Sequence, residues 1–138
     1  MSISQISVFM ESKPGALNAA LDALTQAKIN IRGYCASDTG DFGIVRIVVD
    51  NTEAGLAALS KAGFVAKTKQ VVCVKLKDAP GELKRCLSAI ADAGINVQYS
   101  YSLVGTYICL QVEDDLEAVE KLLERESLEL VDDNDLFA

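Results

Sequence analysis

The chain has 138 residues and a formal net charge of −7, and half of its residues are hydrophobic. This composition is typical of a compact globular protein and excludes a chain that is mainly disordered. The negative charge argues against nucleic-acid binding, which depends on neutralising phosphates. The absence of histidine removes the commonest general base and the commonest metal ligand.

The first half of the chain predicts strands and helices in the order βαββαβ. Alternating apolar residues predict a strand over residues 3–10. Pro14 then opens a helix, where its missing N–H does no harm, and the apolar stripe of this helix ends near Ala27. The remaining predicted elements are strands over residues 29–36 and 44–49, a helix over residues 52–62 and a short fourth strand over residues 64–68. Asn51 is the expected N-cap of this helix.

The second half of the chain repeats this order of elements. The same patterns predict strand, helix, strand, strand, helix and strand over residues 71–76, 80–93, 95–103, 106–112, 116–123 and 127–131. We interpret the acidic residues that follow, from Asp132 to Asp135, as a solvated chain end.

The sequence of one turn occurs twice in the chain. Lys13-Pro14-Gly15-Ala16-Leu17 is matched 66 residues later by Ala79-Pro80-Gly81-Glu82-Leu83. In each copy the helix leads to a similar triplet, Ile29-Asn30-Ile31 or Ile95-Asn96-Val97. An internal repeat of this length indicates two copies of one structural unit.

The repeat predicts two domains, residues 1–69 and 70–138. Each is expected to be a ferredoxin-like βαββαβ unit with an antiparallel sheet, which gives an α+β fold class. Helices cover only one face of such a sheet, yet residues 44–49 and 71–74 place apolar side chains on both faces. We therefore expect the second faces to be covered by the other unit or by another chain, and the protein to form a homodimer.

The repeated turn has features that suit binding of a small zwitterion. A helix start offers unpaired N–H groups and the positive end of the helix dipole. Gly15 and Gly81 lack a Cβ, so a ligand can approach the backbone, and Asn30 and Asn96 each carry a donor and an acceptor. On the assumption of a helical φ at both glycines, we expect Gly15→Val and Gly81→Val to abolish binding and to leave the fold largely intact.

In these residues the chain resembles, over essentially its whole length, two tandem ACT domains, small regulatory modules that bind amino acids. The resemblance implies that the ligand lies where the Pro-Gly turn of one domain meets the second strand of a partner domain. The polar residue two before the proline corresponds to Ser12 and Asp78. Asp78 departs from the neutral amide often present there, so the two sites are expected to be unequal. The ligand-binding residues that the resemblance implies are Ser12, Gly15, Ala16, Leu17, Asn30, Ile31, Asp78, Gly81, Glu82, Leu83, Asn96 and Val97.

The leading hypothesis is a stand-alone sensor of a free amino acid, with no catalytic domain, cofactor or metal. It would act on a partner enzyme or regulator by association. Nothing resembles an activated nucleophile, and the four cysteines lie far apart in apolar stretches, as expected of buried free thiols. No signal peptide or membrane span is visible, so we expect a soluble cytoplasmic protein.

A structural dimerisation subunit with a decayed ligand site is the alternative. In that case the Pro-Gly turns are only helix starts, and Ser12 and Asp78 are N-caps. Asn30 and Asn96 would then bond their own backbone.

The link between the two copies is too short for the usual ACT pairing within one chain. Pairing through the second strands would separate the last strand of the first copy from the first strand of the second by roughly 29 Å, at ~4.8 Å per strand. Only Lys69 and Gln70 lie between these strands, and two residues reach about 7 Å.

Three arrangements of the copies are therefore considered. The copies stack face to face, or residues 64–76 form a hairpin that exchanges the fourth strands and leaves residues 128–131 to close the first copy, or the second strands pair between two chains. The last two are favoured because they build composite sites from a turn and an asparagine. The combinations are Ser12 and Gly15 with Asn96, and Asp78 and Gly81 with Asn30.

Overall fold

The computed structural model of the protein describes residues 2–38, 40–113 and 115–137. Met1, Thr39, Asp114 and Ala138 lie outside the described residues. The elements in chain order are β1 (Ile3–Glu11), α1 (Ala16–Gln26), β2 (Ile31–Asp38), β3 (Phe42–Val49), α2 (Thr52–Lys61), β4 (Val65–Lys75), α3 (Glu82–Asp92), β5 (Val97–Ser102), β6 (Tyr107–Val112), α4 (Leu116–Arg125), β7 (Glu129–Leu130) and α5 (Asp133–Phe137). No helix of the described residues is long and apolar enough to cross a membrane.

The described chain divides into two compact units. The first unit is Ser4–Lys69, and the second runs from Gln70 to α5 and includes Ile3. In the first unit the antiparallel strands have the order β2-β3-β1-β4. Its core lies between this sheet and the two helices α1 and α2, and its buried members are Ile6, Val8, Ala20, Leu24, Val45, Ile47, Val49 and Leu59.

The second unit has the same architecture. Its strands have the order β7-β4-β6-β5, and all of the pairings are antiparallel. The core beneath α3 and α4 is built mainly of Val72, Val74, Leu76, Cys86, Ile90, Leu110, Val112, Val119, Leu123, Leu128 and Leu130. Each unit is thus a ferredoxin-like βαββαβ fold, and the predicted α+β class is confirmed.

The last predicted strand of the first copy and the first predicted strand of the second form one element, β4. It runs without interruption from Val65 to Lys75, and the boundary between the units falls inside it, after Lys69. The strand continues because the linking residues include no glycine or proline to turn the chain. The predicted hairpin over residues 64–76 is therefore wrong.

The pairing of β7 also contradicts the predicted exchange of fourth strands. β7 pairs with the second half of β4, with Leu130 opposite Val74 and Glu129 opposite Lys75. β7 therefore completes the sheet of the second unit, in which it lies, and not the sheet of the first unit. Val131 extends this contact by donating its backbone N–H to the carbonyl of Cys73, at 3.0 Å.

The acidic residues near the chain end form a helix start, in which Asn134 and Asp135 are exposed, as predicted for a solvated end, and Asp132 and Asp133 are partly buried. The backbone N–H of Asp132 donates to the carboxylate of Asp135 at 3.0 Å, and the N–H of Asp135 donates to the carboxylate of Asp132 at 2.9 Å. Such a reciprocal pair is a capping box, which satisfies donors at the start of a helix. It opens α5, whose Leu136 is buried.

The face of the second sheet away from α3 and α4 carries two buried thiols. Val72 and Val74 pack beneath these helices, so Cys73 points to the opposite face, where it stands directly across from Cys109. The hydrogen bond with Cys109, burial and the nearby charge of Asp133 all raise the pKa of the Cys73 thiol.

Candidate functional site

The first Pro-Gly turn connects β1 to α1. The backbone N–H of Ser12 donates to the carbonyl of Asp41 at 2.8 Å, which fixes the start of the turn. Gly15 is the N-cap of α1 and has a φ of 86°, in the left-handed region. A Cβ placed on Gly15 would meet no atom within 4 Å, so the space in front of the helix start is open.

The second turn repeats this geometry. Gly81 is the N-cap of α3, its φ is 85°, and the space at its missing Cβ is also open. The N-caps are therefore the glycines, and the alternative in which Ser12 and Asp78 are the N-caps is wrong. Glycine is required because a left-handed φ is strained for a residue with a Cβ.

The conformation of the two glycines corrects one expectation from the sequence. A helical φ was assumed for Gly15→Val and Gly81→Val, but both glycines have a φ near +85°. A β-branched residue is a genuine outlier in this region. Both variants are therefore expected to strain the fold, so they cannot serve as clean tests of ligand binding.

The residues after each glycine form the first turn of a helix. Ala16 and Leu17 are partly buried in α1, and in α3 Glu82 is partly buried, whereas Leu83 is 46% exposed. The first N–H groups of a helix lack partners within that helix and favour negative charge. The turns thus retain the anion-attracting feature that the sequence predicts.

Asn30 and Asn96 occupy matched positions one residue before β2 and β5. The carbonyl of Asn30 accepts from the N–H of Asp50 at 3.1 Å, and the carbonyl of Asn96 accepts from the N–H of Glu113 at 3.0 Å. The N–H of Asn30 also donates to the Asp50 carboxylate at 3.1 Å. Both asparagines are exposed, and Ile31 and Val97, which follow them, are partly buried.

Within one unit the turn and the asparagine lie at opposite ends of a helix. α1 and α3 each have 11 residues, and such a helix is about 16 Å long. Ser12 and Gly15 are therefore not brought together with Asn30, nor are Asp78 and Gly81 with Asn96. A composite site with an asparagine from a partner domain stays a prediction.

Two clefts flank the turn of the first unit. A cleft of about 530 Å³ lies beside Pro14 and Gly15, on the side of β4, and is lined by Phe9, Phe64 and Val65 among others. We call it the first-unit cleft. A smaller cleft of about 180 Å³ lies on the other side of the turn, where Ser12 and Leu17 approach β2 and β3.

The sequence prediction of the site did not include Phe9, Phe64, Val65 or Lys13. Lys13 lies at the edge of the first-unit cleft, with its Nζ 3.3 Å from the Glu11 carboxylate. The signal was present in the sequence, because these apolar positions of the first copy are not all apolar in the second. A position-by-position comparison of the copies singles out Phe9 and Val65, but not Phe64, which corresponds to Leu128.

No catalytic or metal-binding arrangement is evident among the described residues. They contain no group of three or more cysteine, aspartate or glutamate side chains that could hold a metal ion. The four cysteines are free thiols, and all except the partly exposed Cys35 are buried. Burial raises the pKa of the Cys86 thiol to about 11, which disfavours the nucleophilic thiolate.

The fold and the turns together define a pair of ferredoxin-like domains, each with a left-handed glycine before its first helix. The family model of the ACT domain pair matches residues 1–138. The chain therefore belongs to the ACT domain pair family, and the resemblance noted from the sequence is confirmed. None of the curated proteins compared with this chain matches it.

Solved structures share this fold. Protein BT0572 from Bacteroides thetaiotaomicron is 25% identical with a TM-score of 0.91, and the match covers 99% of this chain and 96% of that one. The ligand-free regulatory subunit of aspartate kinase from Thermus thermophilus is 19% identical with a TM-score of 0.65, covering 90% and 89%. The regulatory subunit from Thermus flavus is 17% identical with a TM-score of 0.59, covering 90% and 92%.

Proposed function

We propose that this protein is a regulatory protein that binds a free amino acid and passes the occupancy on to a partner protein. The observation that carries the proposal is the doubled turn. In both units a glycine with a φ near +85° opens a helix, and a Cβ placed on that glycine would meet no atom within 4 Å. A backbone so placed can meet the carboxylate of an amino acid.

The ligand-binding residues of the proposal are those of the turns and the second strands. The turn residues are Ser12, Gly15, Ala16 and Leu17 in the first unit, and Asp78, Gly81, Glu82 and Leu83 in the second. Asn30 with Ile31, and Asn96 with Val97, enter as residues that a second copy of the chain supplies, because neither asparagine can reach the turn of its own unit.

A homodimer is part of this proposal. Among the described residues β2 pairs only with β3, and β5 only with β6, so each has an edge that another chain can extend. Tyr34 on β2 is 57% exposed, which suits burial by a second copy. We expect sedimentation to give twice the mass of the 14.8 kDa chain at micromolar concentration, and a monomer would contradict the dimer.

The partner of the proposed protein is an enzyme or a regulator, and this chain itself is not an enzyme. Regulatory subunits of aspartate kinase share its fold, which supports a regulatory role. The effect of the ligand would then be a coupling between two binding events, typically of 1–3 kcal/mol. The free thiols suit a reducing compartment, and we propose the cytoplasm.

Isothermal titration with each of the twenty amino acids tests the proposal. A sensor of a metabolite needs only about −4 to −8 kcal/mol of binding free energy, which corresponds to dissociation constants from millimolar to micromolar. We expect at least one amino acid to bind in this range. If none of the twenty amino acids binds, the structural dimerisation subunit is the better account.

A further inference from the structure

The first-unit cleft has the size and lining of a small-molecule site. Its volume of about 530 Å³ lies within the range of about 300–1,000 Å³ that is usual for ligand pockets. Phe9 and Val65 line it and are 40% and 63% exposed, a high exposure for large apolar side chains. The cleft lies entirely within the first unit.

In the second unit, charged side chains fill the matched space. Ala16 and Ala19, which line the first-unit cleft, correspond to Glu82 and Arg85, 66 residues later. Arg85 Nη2 lies 3.2 Å from a carboxylate oxygen of Glu82, and Nη1 donates to the carbonyl of Glu126 at 2.7 Å. The guanidinium therefore bridges the start of α3 to the C-cap of α4, where the first unit carries only methyl groups.

Near the other wall of the cleft, the two units are aligned through their second helices, α2 and α4. Their N-caps, Asn51 and Asp115, are 64 residues apart. Gly63 and Ser127, at the same spacing, both have a positive φ, of 92° and 60°.

The apolar wall of the first-unit cleft is also replaced in the second unit. With that alignment Val65 corresponds to Glu129, and at the 66-residue spacing of the turns Phe9 corresponds to Lys75. Lys75 and Glu129 face each other in the register of β4 and β7, and opposite charges at facing positions attract. Two exposed apolar side chains of the first unit thus become a complementary charged pair in the second.

The edge of the first-unit cleft carries one charge of each sign. The Nζ of Lys13 lies 3.3 Å from the carboxylate of Glu11, and both side chains are about two-thirds exposed. The corresponding residues of the second unit are Ala79 and Lys77. At these two positions, therefore, only the first unit offers an ammonium group for a carboxylate together with a carboxylate for an ammonium group.

We infer that the first-unit cleft, and not its counterpart in the second unit, binds a free amino acid with an apolar side chain. This inference rests on the proposed function, restricts its site to the first unit on the β4 side of the turn, and adds the class of ligand. The ligand carboxylate meets Lys13 and the ligand ammonium meets Glu11, while the side chain packs against Phe9, Phe64 and Val65. A charged ligand side chain is rejected because burial against these residues would leave its charge without a partner.

Ala19→Arg tests the site, because it places in the first unit the side chain that fills the second. Ala19 is exposed and arginine is a good helix former, so the fold is expected to persist. Asn18→Arg is the matched control, since it adds the same charge at the neighbouring exposed position, and Asn18 does not line the cleft. Phe9→Lys, which copies the second unit on the other wall, is a second variant in case the first misfolds.

Calorimetric titrations of the full chain use leucine and phenylalanine as ligands, with aspartate and lysine for comparison. We expect the wild type and Asn18→Arg to bind leucine or phenylalanine equally well. We expect Ala19→Arg and Phe9→Lys to weaken this binding by at least about tenfold, through lost space and lost apolar contact. Aspartate and lysine are expected to bind more weakly than leucine.

The outcomes separate this inference from the proposed function. Binding of leucine that is unchanged by both variants would overturn the inference and leave the proposed function standing, as would stronger binding of aspartate or lysine. If none of the twenty amino acids binds, both the inference and the proposed function are overturned. A dimer of ligand-free protein that dissociates in Ala19→Arg would show that a second copy occupies the cleft, and would also overturn the inference.

Discussion

The two units place the same kinds of residue in their cores and different kinds beside their turns. Leu24 and Ile90 are matched and fully buried, as are Leu59 and Leu123. At the turns, by contrast, Ala19 of the first unit corresponds to Arg85 of the second. The difference teaches that the repeat preserves the fold, whereas the side chains beside the turns, on which the proposed binding depends, have diverged.

The largest expected effect concerns the shared cores. Leu59→Ala and Leu123→Ala each delete a fully buried side chain from the core of one unit. We expect each variant to lose about 3 kcal/mol of free energy of unfolding, since truncating a buried leucine typically costs 2–5 kcal/mol. Urea denaturation measures both variants. A loss of less than about 1 kcal/mol of free energy of unfolding in either variant would show that the core around its leucine is not tightly packed.

A pH-dependent difference between the units comes next. Cys86 corresponds to Ala20 in the first unit, and burial raises the pKa of the Cys86 thiol to about 11 from an ordinary value of 9.0. The unfolded thiol ionises first as the pH rises, so the stability that the neutral thiol contributes is full below pH 9 and falls towards pH 11. We expect about 2 kcal/mol of stability to be lost by pH 11 through this residue.

The control for the pH effect is Cys86→Ala, which copies the residue of the first unit. Urea denaturation at several pH values should show a shallower decline for this variant than for the wild type between pH 8 and 11. Parallel curves for the two proteins would mean that the thiol of Cys86 ionises as readily in the folded chain as in the unfolded one.

A smaller effect is expected to be equal in the two units. Gly15→Ala and Gly81→Ala force a Cβ into a left-handed φ of 86° and 85°, in open space. We expect each to cost about 1–2 kcal/mol, through backbone strain alone. Thermal denaturation compares the two with Lys13→Ala, a control in the same turn at a residue without a positive φ. Unequal costs would indicate that the two turns differ.

The smallest expected effect concerns Arg85, which bridges the start of α3 to the C-cap of α4 in the second unit. Arg85→Ala removes one ion pair and one hydrogen bond at a side chain that is 40% exposed. We expect a loss of less than about 1 kcal/mol, because exposed ion pairs contribute little. Lys84→Ala is the neighbouring control. A loss of several kcal/mol would mean that Arg85 is needed for the fold and does not merely occupy the matched space.

The repeat and the alternation of apolar residues were enough to predict the elements and the fold of each unit. Three features could not be predicted in this way. The left-handed φ of Gly15 and Gly81 is that of the second central residue of a type II turn, which a Pro-Gly pair favours but which neither the repeat nor the alternation of apolar residues encodes. β4 is continuous because no residue turns the chain between two predicted strands, and a pattern of period two does not mark that join. The helix α5 depends on a reciprocal contact between Asp132 and Asp135.

The candidate site was predicted from the repeated turn and the asparagines, although the copies differ there at Ser12 and Asp78 and at Ala16 and Glu82. All of these residues stay predictions. The first-unit cleft is defined by disagreement between the copies, at Phe9, Ala19 and Val65. Its depth depends on side chains from three separate segments, whose proximity follows from the fold and not from their spacing in sequence.

Chemical-shift mapping by NMR tests most directly the central claim that the two turns are alike in backbone but that only the first unit binds. Leucine is added to the isotopically labelled full chain, and the amide shifts of the two units are compared. The account predicts shifts over residues 9–19 and 63–65, with little change over residues 75–85 and 126–129. Equal shifts in both sets, or shifts confined to the second set, would contradict it.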